Sequence, residues 1–139
     1  MLGPTTSEKL ARAMADLRMG IPVVLRGQQH AGVIVSAETI APERFKEFRN
    51  RFPAPFLALT HRRAETIKIY AYDGTFARIA IPSDRDLSWI KAVADPASDM
   101  VAGLKGPFQT IMTPALGIES TALQMLKQAQ VLPAAIISP

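Results

Sequence analysis

The sequence predicts a single small domain of the α+β class (mixed α/β), with a mixed β-sheet, an early hairpin and helices packed against the sheet. The chain has 139 residues, which is within the usual range for one domain. Hydrophobic residues make up 48% of it and charged residues 20%, as in an ordinary globular protein. Segments with the apolar spacing of helices occur together with segments that have the composition of strands, and this mixture predicts the fold class.

The N-terminal part of the chain predicts a helix followed by a hairpin. Thr5-Thr6-Ser7-Glu8 has the pattern of a capping box, and apolar residues then recur at helical spacing as far as Gly20. Residues 22–25 and 32–35 have the composition of strands, and residues 26–29 between them have that of a turn. We therefore expect the two strands to pair as a hairpin.

Helices and strands continue through the rest of the chain. Pro42 suits the first turn of a helix that carries Phe45, Phe48 and Phe52 along one side, and such an aromatic stripe favours core packing. The later elements are predicted as strand 55–60, helix 62–68, strand 77–81 with one solvent-exposed face, a helix starting within 83–86, a loop over 96–114, helix 119–130 and strand 132–137.

Composition and charge exclude several classes of partner. The net charge is +4, but basic and acidic residues alternate, and no aromatic residue is interleaved with the densest basic run, His61-Arg62-Arg63. We therefore expect no nucleic-acid partner. We expect no membrane partner either, because no apolar run approaches the roughly 20 residues needed to span a bilayer. The absence of cysteine excludes disulfides and thiolate metal sites within the chain, and it fits the cytoplasmic location that we expect.

Few residues suggest a functional site. Phosphate-loop, nucleophile-elbow and dinucleotide-binding patterns are all missing from the sequence. The segment Ser83-Asp84-Arg85 places a hydroxyl and a guanidinium at a predicted helix start, where they could bind a phosphate. The alternative, which these residues alone favour, is a helix cap beside an exposed arginine. The sequence thus predicts no catalytic residue, no metal ligand and no cofactor.

Three stretches of the sequence follow one another in the order of a known family. The first is Leu17-Arg18-Met19-Gly20-Ile21-Pro22-Val23-Val24-Leu25 with Ala37-Glu38, the second joins Asp73-Gly74-Thr75-Phe76, Ser83-Asp84-Arg85 and Ile90-Lys91-Ala92-Val93-Ala94-Asp95-Pro96, and the third joins Gly117-Ile118-Glu119-Ser120-Thr121-Ala122 to Leu132-Pro133-Ala134-Ala135-Ile136-Ile137. Together they resemble 3,4-dihydroxy-2-butanone 4-phosphate synthase over most of the chain. The resemblance implies the fold of that family and a homodimer.

The same resemblance implies that the catalytic site of the family has been lost. The acidic metal-binding loop of the family is replaced by residues 26–32, Arg-Gly-Gln-Gln-His-Ala-Gly, which contain no carboxylate. The metal-binding histidine and its partner glutamate fall on Ile118 and Ser120. Since Mg²⁺ prefers oxygen ligands and usually carboxylates, we expect no synthase activity. Of the sugar-phosphate contacts, the resemblance leaves Ser83, Asp84 and Arg85.

Domains stripped in this way are found at the N-terminus of some bacterial GTP cyclohydrolase II proteins, and residues 132–139 resemble the junction with the domain that follows. By resemblance, we expect residues 1–139 to be the N-terminal part of a two-domain riboflavin-biosynthesis protein, with a structural, dimerisation or regulatory role and an attached or associated cyclohydrolase domain. Two alternatives remain open: a regulatory module that binds a sugar phosphate through Ser83 and Arg85, and a domain with residual synthase activity.

Overall fold

The computed structural model of the chain describes residues 2–69, 74–99 and 106–139. Within these ranges the helices are α1 (Thr6–Arg18), α2 (Pro42–Arg51), α3 (His61–Thr66), α4 (Leu87–Ala94) and α5 (Glu119–Gln128), with a 3₁₀ turn at Pro96–Ser98. The strands are β1 (Val23–Arg26), β2 (Ala31–Ser36), β3 (Phe56–Thr60), β4 (Phe76–Ala80) and β5 (Ala134–Ser138). Every predicted helix and strand is present within a few residues of its expected bounds.

The five strands form one sheet in the order β1-β2-β5-β3-β4. The α+β class is confirmed, and β1 and β2 pair as the predicted hairpin. The expectation of a mixed sheet needs a correction, because every strand pairing is antiparallel. Strands β2 and β3 do run in the same direction, but β5 lies between them and is antiparallel to both.

Helices cover both faces of the sheet. On one face, Phe45 and Phe48 of α2 and Ile90 of α4 pack on the sheet, so the predicted role of the aromatic stripe in the core is confirmed. On the other face, α1 and α5 contribute Leu17 and Leu126 to a second apolar cluster. All five residues of β5 are buried, as expected for a central strand between two helical layers.

The burial of β4 differs from the prediction. The alternation in residues 77–81 predicted one solvent-exposed face, but the first four residues of β4 are buried on both faces. Residues 109–111 run beside this strand: Ala80 N donates to Gln109 O, and Ile111 N donates to Arg78 O, both at 2.8 Å. The predicted loop over 96–114 therefore contains a short sheet contact and a 3₁₀ turn, while residues 100–105 of it lie outside the described ranges.

Local signals fix the ends of the first helix. The capping box is confirmed, since Thr5 Oγ1 accepts a hydrogen bond from Glu8 N and Glu8 Oε1 accepts one from Thr5 N. Gly20 follows the helix with a φ of 76°, and a Cβ at this position would lie 2.4 Å from Thr39 O. Only glycine therefore allows the chain to turn here towards β1.

In the described part of the chain, no helix is long and apolar enough to cross a bilayer. The longest, α1, has 13 residues, which is short of the roughly 20 that a transmembrane helix requires.

Candidate functional site

The hairpin loop and the start of α5 lie side by side, at the place where the family resemblance puts a metal site. Ile118 immediately precedes α5 and is 2% exposed. A Cβ on Gly27 would lie 3.3 Å from Ile118 Cγ2, and a Cβ on Gly32 would lie 2.6 Å from Ile118 Cδ1. The isoleucine side chain therefore fills the space between the hairpin and α5, and the two glycines allow its close approach.

The side chains around this contact do not suit a divalent cation. Residues 26–31 of the hairpin are all exposed and contain no carboxylate, and Ser120 is exposed on α5. In the described ranges, no group of three or more histidine, aspartate or glutamate side chains is placed to hold a metal ion. Mg²⁺ needs several oxygen ligands, which an apolar side chain and two glycines cannot supply. The residues present thus do not fit the cation that the family resemblance implies.

Glu119 is a carboxylate next to this contact, and it is fully buried. Its Oε1 accepts hydrogen bonds from the backbone N–H groups of Gly117 at 2.9 Å and Ile118 at 3.2 Å. Its Oε2 accepts one from Leu116 N at 2.9 Å. Glu119 is the first residue of α5, where its negative charge also suits the positive end of the helix dipole. Because its oxygens are engaged by the backbone of residues 116–118, this carboxylate holds the loop that leads into α5.

Arg78 of β4 holds the same segment from the sheet side and was not recognised in the sequence. Its side chain is 3% exposed, and its Nη1 lies 3.7 Å from Glu119 Oε2. The guanidinium also donates to the carbonyl oxygens of Thr113 and Pro114 and lies 5.8 Å from the Phe56 ring centre. Arg78 and Glu119 therefore fasten residues 113–118 to the sheet. The signal in the sequence is a single arginine among apolar strand residues. By alternation, such a residue is expected on a solvent-exposed face, but here it is buried.

The segment Ser83-Asp84-Arg85 forms an exposed turn before α4. The helix itself is capped by Asp86, whose Oδ1 accepts hydrogen bonds from Ser88 Oγ at 2.6 Å, Ser88 N at 3.1 Å and Trp89 N at 3.4 Å. These bonds, chiefly the one from the Ser88 side chain, lower the pKa of the Asp86 carboxyl. Asp86 thus occupies the helix N-terminus, and an anion at the turn would depend on Arg85 and its neighbours.

A groove of about 400 Å³ lies beside this turn, between α2 and α4. Its walls include Lys46 and Arg49 over an apolar floor that contains Phe45. Arg49 of α2 donates to Arg85 O at 2.7 Å and to Pro82 O at 3.2 Å. Its side chain therefore holds the backbone of the turn against α2. The groove combines positive charge with apolar surface, but the Asp86 carboxylate lies within it.

Two further polar pairs lie away from these places. Arg63 is buried and binds Asp99 through two hydrogen bonds of 2.8 and 2.9 Å, which joins α3 to the segment after α4. His61 and Glu65 form an exposed pair at 2.7 Å on α3. The i,i+4 spacing of this second pair was visible in the sequence and was overlooked. Two exposed side chains on one helix do not make a metal site.

No protein-family model matches the chain. GTP cyclohydrolase-2 of Azospirillum brasilense is 31% identical over 134 residues, which cover 92% of this chain and 34% of that protein. The chain therefore spans about a third of the length of this relative.

Solved structures of 3,4-dihydroxy-2-butanone 4-phosphate synthases have the same fold. A cation-free synthase is 16% identical, with a TM-score of 0.64, over 93% of this chain and 73% of that one. A two-domain synthase from A. baumannii is 15% identical, with a TM-score of 0.59, over 93% and 46% of the two chains. The Candida albicans synthase is 14% identical, with a TM-score of 0.62, over 93% and 78%. The fold expected from the sequence resemblance is confirmed.

Proposed function

We propose that this chain, a domain with the fold of 3,4-dihydroxy-2-butanone 4-phosphate synthase, is a non-catalytic part of a riboflavin-biosynthesis protein of the GTP cyclohydrolase II type. The observation that carries the proposal is the position of Ile118. Its side chain is packed against Gly27 and Gly32, where a synthase of this family would hold its metal. The domain then serves its parent protein through folding, dimerisation or regulation.

The chemistry of the site supports the loss of activity. The synthase reaction that the resemblance implies needs a bound Mg²⁺ and groups that donate and accept protons. The hairpin residues 26–31 supply neither anionic ligand nor carboxylate base. Glu119 faces backbone N–H groups and Arg78, so the structure uses it to hold a loop. The place of the catalytic centre is thus occupied by packing interactions.

An attached cyclohydrolase domain is supported by the relative from A. brasilense, of which this chain spans 34%. In such a protein the present domain lies N-terminal to the cyclohydrolase domain and in the same compartment, the cytoplasm of a bacterium. The zinc of a cyclohydrolase that uses cysteine ligands belongs to the other domain, because this chain has no cysteine.

A homodimer is the assembly that we propose for the domain. Sedimentation equilibrium of the purified chain tests it, since a dimer has twice the monomer mass of 15.1 kDa. A mass that stays at the monomer value up to the highest soluble concentration would rule out a dimerisation role. The structural and regulatory roles would then remain.

The second candidate is a module that binds a sugar phosphate, and the groove with Lys46 beside the Arg85 turn favours it. Calorimetric titration of the chain with ribulose 5-phosphate tests this candidate directly. Binding that Arg85→Ala abolishes, and that the distant variant Arg62→Ala leaves unchanged, would support the module. If the wild-type chain gives no heat of binding at millimolar sugar phosphate, this candidate function is eliminated.

A further inference from the structure

The two edge strands of the sheet, β4 and β1, differ in whether another segment pairs with their outer side. At the β4 edge, residues 109–111 pair with the strand through two backbone hydrogen bonds of 2.8 Å. At the β1 edge, no segment of the described residues pairs with the strand on the side away from β2. An open edge is a template for pairing with another chain, and proteins usually protect it.

The hairpin register shows which groups of β1 face outwards. Gly27 N donates to His30 O at 2.7 Å at the end of the hairpin. Hydrogen-bonded pairs alternate with non-bonded pairs in an antiparallel ladder, so the bonded pairs continue at Leu25 and Val23. The N–H and C=O groups of Val24 and Arg26 therefore point away from the sheet, where an added strand would meet them.

The side chain at the centre of this edge is apolar and exposed. Val24 is 61% exposed and borders a groove of about 340 Å³ between β1 and α2. Phe48, Phe52 and Val33 contribute apolar surface to the groove. A strand added to β1 would direct every second side chain into this groove, because successive side chains of a strand point to opposite faces.

The charges around the groove select the kind of partner. Arg44 and Arg51 line it, and Arg26 lies on the same side of β1 as Val24. Glu47 is the acidic residue in the lining, and its carboxylate is already 3.2 Å from Arg51. The surface is therefore positively charged around an apolar centre. A second copy of the chain fits it poorly through its own β1, since that strand carries Arg26 and no carboxylate to match the arginines.

We propose that the open edge of β1 and the groove beside it bind an extended segment of a partner protein whose groove-facing residues, at every second position, are apolar at the centre and acidic at both ends. The backbone of the segment pairs with Val24 and Arg26, its apolar side chains enter the groove, and its carboxylates meet the three arginines. This proposal rests on the edge and the groove alone and does not depend on the function proposed above.

The test uses the 139-residue chain and two synthetic heptapeptides with blocked ends, Glu-Thr-Val-Thr-Val-Thr-Glu and Lys-Thr-Val-Thr-Val-Thr-Lys, in which the valine and charged side chains lie on one face of the strand. Amide NMR spectra of the labelled chain are recorded during titration with each peptide. We expect the glutamate peptide to shift the amide signals of Val24 and Arg26 in a saturable manner. The lysine peptide should bind about tenfold more weakly or worse, since several exposed ion pairs each contribute a small factor.

Two variants separate strand pairing from charge. Val24→Pro removes the outward N–H without touching a bond inside the sheet, and it should abolish binding of the glutamate peptide. The double variant R26E/R51E should reverse the preference, so that the lysine peptide binds better. A dispersed amide spectrum verifies that each variant is folded.

Three outcomes would overturn the proposal. The first is the absence of saturable shifts with the glutamate peptide at millimolar concentration. The second is binding that leaves the β1 signals unmoved or ignores the charge reversal. The third is concentration-dependent broadening of the β1 signals in the peptide-free chain that Val24→Lys removes, since it would mean that a second copy occupies the edge.

Discussion

At the scale of single residues, Ile118 and Glu119 decide what the candidate site can do. The Ile118 side chain fills the space between the hairpin and α5. The Glu119 carboxylate accepts hydrogen bonds from backbone N–H groups and pairs with Arg78. A buried carboxylate without such partners would be costly, which is why Glu119 and Arg78 occur together. Packing and charge pairing thus account for both side chains at this place.

The packing of Ile118 can be tested by truncation. Ile118→Ala removes buried methyl and methylene groups next to Gly27 and Gly32, and we expect it to lower the free energy of unfolding by about 2–4 kcal/mol. Urea denaturation measures the change. Met112→Ala is the control, because Met112 is 71% exposed and its truncation should change stability by less than about 0.5 kcal/mol. Equal effects in both variants would mean that Ile118 is not packed as described.

The Arg78–Glu119 pair makes a second prediction. Glu119→Gln leaves a buried guanidinium without its counter-charge, and we expect a loss of about 3–5 kcal/mol in unfolding free energy. Arg78→Met should cost a comparable amount alone. The double variant should be more stable than the sum of the two losses predicts, because neither charge is then left uncompensated. Strictly additive losses in urea denaturation would show that the two side chains do not interact.

At the scale of elements, short local signals set the ends of the helices. Asp86 caps α4, and the hydrogen bonds that it accepts lower its carboxyl pKa below the ordinary value of 3.8. A lowered pKa means that the ionised carboxylate stabilises the fold above that ordinary value. This contribution is lost as the pH falls through the lowered pKa of the folded state. The cap is therefore a stabilising feature that acid removes.

The cap predicts a pH-dependent effect of mutation. Asp86→Ala should lower the thermal midpoint at pH 7, and the difference from the wild type should shrink as the pH falls below 3.8, the ordinary pKa of this carboxyl. Thermal unfolding followed by circular dichroism over this pH range measures it. Asp84→Ala, two residues earlier in the same exposed turn, should have little effect at any pH. A difference that persists unchanged in acid would contradict the role of the carboxylate.

Gly20 and Gly74 both have a positive φ, but only Gly20 has a close neighbour, so variants at the two positions can distinguish backbone strain from steric clash. Gly74→Ala should lower the free energy of unfolding by about 1 kcal/mol, because its φ is 79° while no atom of the described residues beyond its chain neighbours lies within 4 Å of the new Cβ. Gly20→Ala should cost clearly more, since the same strain is joined by a contact of 2.4 Å with Thr39 O. Urea denaturation compares them. Equal losses would mean that the turn after α1 can open without penalty.

At the scale of the whole molecule, what could be predicted from the sequence was whatever depends on neighbours along the chain. The capping box, the hairpin and the aromatic stripe of α2 are local patterns, and each was located correctly. The insertion of β5 between β2 and β3 is a long-range choice without a local signal. The burial of Arg78 depends on that topology and on residues 109–111, which run beside β4. Because neither feature has a local signal, the alternation in residues 77–81 predicted a solvent-exposed face instead.

For the candidate site too, the sequence showed the local composition but not the contacts between distant segments. The lack of carboxylates in residues 26–32 was visible in the sequence, but the contact of Ile118 with Gly32 required the fold. The glycines that permit this contact carried no signal of their own, because glycine is equally expected in a hairpin. Family resemblance supplied the link between two segments that are far apart along the chain.

The central claim is that the domain does not catalyse the synthase reaction, and a proton NMR assay for formate tests it most directly. The purified chain is incubated with ribulose 5-phosphate and Mg²⁺, beside an active 3,4-dihydroxy-2-butanone 4-phosphate synthase as a positive control. We predict that formate stays at the level of the protein-free sample. Formate released at a rate proportional to the concentration of the chain, and suppressed by a chelator, would contradict the claim, since a cation would then be held where Ile118 lies.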